Sequence, residues 1–188
     1  AELGIGRLFA NNTPFYSTDF GYQSQAGEFF NVGGGFGYFD SSSASGIRVI
    51  PSVSSASLQT ATGRPFGVSY GPVVHEWVGD VLSHTDLSAT SPGYVNDVST
   101  ALPIMTGDGN DNVGRVWERI GETWVSAELP GSLYGILVSN TGAVLANTSD
   151  GYAIYRKGQA GWVGTRLSVD VPGFSPQSTT SIGWSDNR

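Results

Sequence analysis

The residues of this chain best suited to nucleophilic chemistry are a serine and two histidines. Ser69 is the central residue of a G-x-S-x-G pattern over residues 67–71, which is the pattern of a nucleophile elbow. An elbow needs a buried strand before the serine, a helix after it, and a distant acid and histidine. No helix pattern follows Ser69, and both histidines, His75 and His84, lie within 15 residues of it. We therefore predict that Ser69 is a small residue on one face of a strand.

Metal binding and acid–base catalysis by the histidines are disfavoured as well. His75 precedes Glu76, and His84 lies two residues before Asp86, so each imidazole has a carboxylate nearby. Two histidines alone seldom build a metal centre, because such centres need three or four ligands. Aspartates and glutamates are scattered, and no pair stands out for glycoside hydrolysis. We predict no catalytic residues and do not expect an enzyme.

A short acidic segment resembles the front of a calcium-binding loop. Asp108, Asn110 and Asn112 place oxygen-bearing side chains at alternate positions, as a hard cation requires. Val113 replaces the turning glycine of the loop, and Arg119 replaces the bidentate glutamate. We predict a polar turn between two strands. A Ca²⁺ site completed by ligands from elsewhere is the alternative, and no other cofactor is expected.

An imperfect repeat indicates the elements that frame these residues. Residues 116–125 recur 38 positions later as residues 154–163. Each copy has a short strand with basic residues, a turn containing glycine, and a second strand that opens with Trp-Val. This pattern predicts β-hairpins near residues 115–125 and 153–163. Residues 74–80 are a degenerate third copy.

The repeat carries four aromatic side chains that are candidates for ligand binding. We expect Trp117 to pair across its hairpin with Trp124, and Tyr155 with Trp162. An exposed aromatic face would bind a ligand, whereas packing in a core is the alternative reading.

Composition excludes several classes of partner. Charged residues make up 13% of the chain, the formal net charge is −7 and there is a single lysine, so a nucleic-acid-binding surface is not expected. The chain has no cysteine, which excludes disulfides and zinc–thiolate sites. No apolar run approaches the roughly 18 residues that span a bilayer, so membrane insertion is not expected.

The phenylalanines indicate a boundary. Most of them lie in the first 40 residues, in a stretch rich in glycine, asparagine and serine. We predict an arm over residues 1–45 that docks on a partner, or else the first strands of the fold, and a β domain over residues 46–188. The candidate assembly residues of the arm are Phe9, Phe15, Phe20, Phe29 and Phe30.

The remaining patterns predict a mainly β fold: an antiparallel sandwich, barrel or meander with an extended N-terminal arm. Residues 163–171 alternate apolar and polar side chains, and residues 139–142 form a turn between two apolar runs. One helix is predicted over residues 94–102, because Val95, Val98 and Leu102 have helical spacing.

The aromatic hairpins of residues 116–125 and 154–163 resemble modules of bacteriophage virion proteins, such as tail fibres, spikes and capsid decoration proteins. This resemblance implies a non-enzymatic structural component located in the virion. Its partners would be other virion subunits and further copies of itself.

A second resemblance is to blades of tectonin-type β-propeller lectins, over residues 124–173. The 38-residue period suits a four-stranded blade. This resemblance implies recognition of host or cell-surface glycans, with a secreted or extracellular location as the alternative to the virion.

Overall fold

A computed structural model describes residues 23–24, 27–28, 30–31, 35–40, 42–53, 55–57, 65–69, 71–99 and 102–167. Phe9, Phe15, Phe20 and Phe29 lie outside these residues, and of Phe30 only the backbone is described. The assembly role of these phenylalanines therefore stays a prediction.

The described part of the chain consists of short antiparallel strands. The early strands are β1 (Gln23–Ser24), β2 (Gly27–Glu28), β3 (Phe30–Asn31), β4 (Gly35–Phe39), β5 (Ile47–Pro51), β6 (Ser55–Ser57), β7 (Phe66–Val68), β8 (Val73–Val78) and β9 (Val81–Asp86). The later strands are β10 (Gly93–Val98), β11 (Ile104–Gly109), β12 (Gly114–Ile120), β13 (Thr123–Glu128), β14 (Ser132–Val138), β15 (Val144–Thr148), β16 (Gly151–Gly158) and β17 (Gly161–Arg166).

These strands form consecutive meanders in which each strand pairs with its neighbour in the sequence. β1 and β2 pair antiparallel with each other, and we name the larger sheets I (β3–β5), II (β6–β9), III (β10–β13) and IV (β14–β17). The predicted mainly β, antiparallel fold is confirmed, and no closed barrel occurs in the described residues. Position 45 lies between the paired strands β4 and β5, so the predicted boundary falls inside sheet I.

The four sheets stack in chain order, with a separate apolar core between each consecutive pair. Sheet III shows why, because alternate residues of a strand point to opposite faces. Met105 and Trp117 pack with Phe66 of sheet II, whereas Ile104 and Val116 pack with residues of sheet IV. Tyr38 and Ile50 pack with partly buried residues of sheet II. Strands β11 and β12 of sheet III are therefore buried on both faces.

The predicted helix over residues 94–102 is wrong, because residues 93–98 form β10. The pairing of β10 with β11 shifts between Val95 and Asp97, which marks a β-bulge at Asn96. The bulge places Val95 and Val98 on buried positions three residues apart. This spacing imitates one face of a helix, although the backbone is extended.

The predicted hairpins are present as β12–β13 and β16–β17, and residues 74–80 belong to a third hairpin, β8–β9. The two members of each predicted aromatic pair do not lie directly opposite each other, however. Trp117 lies opposite Ser126 and Trp124 lies opposite Arg119, so the two indoles are diagonal neighbours on one face.

The second hairpin has the same offset. Tyr155 lies opposite Gly164, and Trp162 lies opposite Lys157. The tight glycine turn sets the register, and this register displaces the aromatic residues by two positions.

Candidate ligand-binding site

A cavity of about 450 Å³ opens where sheets III and IV meet. Its walls come from the start of β11, from β12, from the β14–β15 turn and from the β16–β17 hairpin. This volume suits a small ligand of one or two rings. The lining residues are Leu102, Pro103, Ile104, Glu118, Thr141, Gly142, Ala143, Arg156, Lys157 and Trp162.

The charged groups of the cavity form a pair that bridges the two sheets. Lys157 of β16 donates a hydrogen bond from Nζ to Oε2 of Glu118 on β12. The Lys157 side chain is 48% exposed and that of Glu118 is 29% exposed, so both remain in contact with solvent. Arg156 also lines the cavity, although the alternation of β16 directs its side chain toward the other face of sheet IV. The pair thus presents one acceptor and one donor side by side.

The same two repeat positions carry an ion pair between sheets II and III, in a closed form. Glu76 matches Glu118 in the repeat, and Arg119 matches Lys157. Arg119 Nη1 lies 2.7 Å from Glu76 Oε2, and the two side chains are only 3% and 10% exposed. One interface therefore buries its ion pair, whereas the next leaves the equivalent pair open beside a cavity.

Of the four aromatic candidates, Trp162 alone lines this cavity, although its side chain is only 8% exposed and also belongs to the core between sheets III and IV. Trp117 and Tyr155 are 1% and 2% exposed and belong to the cores between the sheets. The Tyr155 hydroxyl donates to the carbonyl of Pro130 at 2.8 Å. Their burial leaves no ring face for a ligand.

Trp124 lies at the edge of the core between sheets II and III. Its ring packs edge-on against Phe66 at 5.1 Å between centroids, and the Arg119 guanidinium lies 5.8 Å from its centroid. Both contacts hold the indole against the protein, so Trp124 supports the closed ion pair.

A chain of polar side chains joins Ser69 to both histidines, which the sequence alone did not indicate. His75 Nδ1 lies 2.6 Å from His84 Nδ1, and His75 Nε2 contacts Ser69 Oγ. Ser69 Oγ also donates to the Ser52 carbonyl at 3.2 Å. The cross-strand register that places His75 opposite His84 creates this chain.

One proton arrangement satisfies this chain with both imidazoles neutral. His84 Nδ1–H donates to His75 Nδ1, His75 Nε2–H donates to Ser69, and Ser69 donates to Ser52. In this arrangement His75 is not a base toward Ser69, so the serine is not activated as a nucleophile. Burial first, and the charge of His84 second, lower the pKa of His75.

The candidate calcium ligands lie on the β11–β12 hairpin, as the predicted polar turn between two strands. Asp108 accepts a hydrogen bond from Asn96 Nδ2 at 3.2 Å, and Asn112 has a φ of 58° that turns the chain. Asn110 is exposed. In the described parts of the chain, no three acidic, histidine or cysteine side chains gather as a metal site.

Comparison with known proteins adds no relative. The chain matches no protein-family model, no curated protein and no solved structure. Within the described residues, no helix has the length and apolar character needed to cross a membrane.

Proposed function

We propose that this protein is a non-enzymatic glycan-binding module, with its binding site in the cavity between sheets III and IV. The observation that carries this proposal is the composition of the cavity wall. Leu102, Pro103 and Trp162 provide an apolar surface, while the Glu118–Lys157 pair provides polar contacts. A sugar ring also combines apolar and polar surface, because its C–H groups are apolar and its hydroxyls are polar.

The stack of sheets supports the same proposal. Each four-stranded meander resembles a propeller blade, and the first strands of consecutive sheets, β6, β10 and β14, lie next to one another. A site between two such repeats is held by strands of both sheets. The backbone of the lining residues therefore stays in place when the ligand is absent.

A glycan array followed by titration of the purified protein tests this function. We expect binding to a defined group of sugars, and we expect Thr141→Trp to abolish it because Thr141 is an exposed residue of the cavity wall. Asn140→Trp is the matched control, since Asn140 is exposed on the same turn and does not line the cavity. The proposal fails if no glycan binds, or if Thr141→Trp binds as well as the unmodified protein.

A second candidate is a structural component of a bacteriophage particle. The observation that favours it is the outer face of sheet IV, where Val163 is 61% exposed and Tyr134 is 41% exposed. Exposed apolar side chains on a sheet face are typical of contacts between subunits. The two functions are compatible, because a virion surface protein can bind host glycans.

The mass of the native assembly from the natural source tests the second candidate. Size separation with light scattering would place the chain in a particle of megadalton mass if the virion proposal is right. A monomer or dimer in the native source would exclude it. The double variant Val163→Thr, Tyr134→Ser is expected to weaken assembly without unfolding the chain, since both side chains are exposed.

A further inference from the structure

We propose that the Glu118–Lys157 pair selects neutral sugars that carry two adjacent hydroxyl groups. This inference rests on the proposed glycan-binding function and names the ligand class of the same cavity. One hydroxyl would donate to the Glu118 carboxylate, and its neighbour would accept from the Lys157 ammonium.

The geometry of the pair matches such a diol. The ammonium and carboxylate groups are in hydrogen-bonding contact, so the free lone pairs and protons of the two groups lie a few ångströms apart. Adjacent ring hydroxyls have a similar separation, which lets one sugar reach both groups at once. A ligand with a single hydroxyl would satisfy only one of them.

The opposite charges of the Glu118–Lys157 pair favour a neutral group in contact with both side chains. The pair carries one negative and one positive charge, so its net charge is zero. Each contact to the sugar is nevertheless charge-assisted. A carboxylate or phosphate on the ligand would be attracted by the Lys157 ammonium and repelled by the Glu118 carboxylate. It would also approach a chain of formal net charge −7.

The equivalent ion pair between sheets II and III shows the form expected of a pair that only joins two sheets and binds no ligand. Arg119 has a planar guanidinium that suits a permanent pair with Glu76, and both groups are withdrawn from solvent. Lys157 stands at the same repeat position with a flexible, half-exposed ammonium. A flexible ammonium can turn from Glu118 to a ligand hydroxyl, whereas the buried guanidinium cannot.

Calorimetric titration with methyl pyranosides and their monodeoxy analogues tests this inference. We expect a glycoside with adjacent hydroxyls to bind, and removal of either hydroxyl to weaken binding by about tenfold or more. Glu118→Gln and Lys157→Met are each expected to weaken binding by about tenfold. Affinity should change little with ionic strength, because the ligand is neutral.

Glu76→Gln is the matched control, because it alters the equivalent pair at the closed interface. It is expected to lower the unfolding temperature and to leave affinity unchanged. Normal affinity in Glu118→Gln and Lys157→Met, combined with loss of binding in Thr141→Trp, would overturn the diol assignment and leave the glycan function standing. Tighter binding of a uronic acid would also overturn it. Absence of binding to every glycoside would overturn both.

Discussion

His75 and His84 face each other through their Nδ1 atoms at a distance of 2.6 Å. Only one proton fits between two nitrogen atoms at this distance, so a second protonation places two donors against each other. Acid should weaken the packing of sheets I and II, between which His75 is buried.

The first prediction is a loss of stability in mild acid. The pKa of His75 lies below its ordinary value of 6.5, because burial and His84 disfavour the cation. The unfolded chain therefore binds more protons below about pH 6.5, and the free energy of unfolding falls as the pH decreases through this range. Urea unfolding at about pH 7.5 and about pH 5.5 measures the loss.

His75→Gln provides the control for this pH dependence. Glutamine keeps a polar amide near Ser69 and does not titrate, so the loss between the two pH values should shrink. An equal loss in the variant and the unmodified chain would assign the effect to other groups. The carboxylates with lowered pKa values, Asp40, Asp86 and Asp111, act below this range.

The second prediction concerns the buried ion pair between sheets II and III. Arg119→Met should lower the free energy of unfolding by about 3 kcal/mol, because it removes the guanidinium that neutralises the buried Glu76 carboxylate. Adding Glu76→Leu to this variant should restore much of the loss, since a well-packed apolar pair replaces a buried ionic pair at little cost. Chemical denaturation of the single and double variants measures both effects.

Lys157→Met makes the same change at the equivalent, open pair. Its cost should be at most about 1 kcal/mol, because exposed ion pairs contribute little to stability. Equal costs for Arg119→Met and Lys157→Met would mean that burial does not distinguish the two interfaces.

The hairpins could be predicted from the sequence, because their signals are local. The glycine at each turn and the Trp-Val that follows lie within ten residues of one another. The predicted helix over residues 94–102 is wrong because this prediction also relied on a local signal. Local spacing could not reveal that a bulge at Asn96 places Val95 and Val98 on buried positions of a strand.

The candidate site could not be predicted, because its groups come from distant parts of the chain. Glu118 and Lys157 are 39 residues apart and meet only when sheets III and IV stack. In the repeat, Glu118 occupies the position of Glu76 and Lys157 occupies the position of Arg119. The repeat does not show which of the two interfaces is open. The repeat likewise predicts the same ligand-binding role for Trp117 and Trp162, whereas in the structure both are buried and only the second of the two lines the cavity.

The third prediction tests the close approach of sheets III and IV. A Cβ atom at Gly135 would lie 1.9 Å from Oγ1 of the buried Thr106 and 3.1 Å from the backbone nitrogen of Gly107. Gly135→Ala should therefore lower the free energy of unfolding by about 1–3 kcal/mol, as overpacking does. Gly158→Ala is the control, since its Cβ would lie 3.5 Å or more from its neighbours. Similar midpoints of denaturation for the two variants would argue against the stacking.

The fourth prediction concerns the edge of β14. Asp97 Oδ2 accepts a hydrogen bond from the Val138 backbone N–H at 2.8 Å, and Asn96 Nδ2 donates to the Gly135 carbonyl at 2.8 Å. Two adjacent side chains of the bulge thus replace the strand that β14 lacks on this side, which is a way to protect a sheet edge. The bulge is what allows neighbouring residues to reach the same strand.

Asp97→Ala should cost about 2 kcal/mol, because the Val138 N–H is buried and loses a charged acceptor. Asn96→Ala should cost about 0.5 kcal/mol, since Asn96 is exposed and water can replace its amide. Hydrogen exchange at the Val138 amide gives a local readout: we expect faster exchange in Asp97→Ala and nearly unchanged exchange in Asn96→Ala. Unchanged exchange in Asp97→Ala would show that the sheet edge is protected by other contacts.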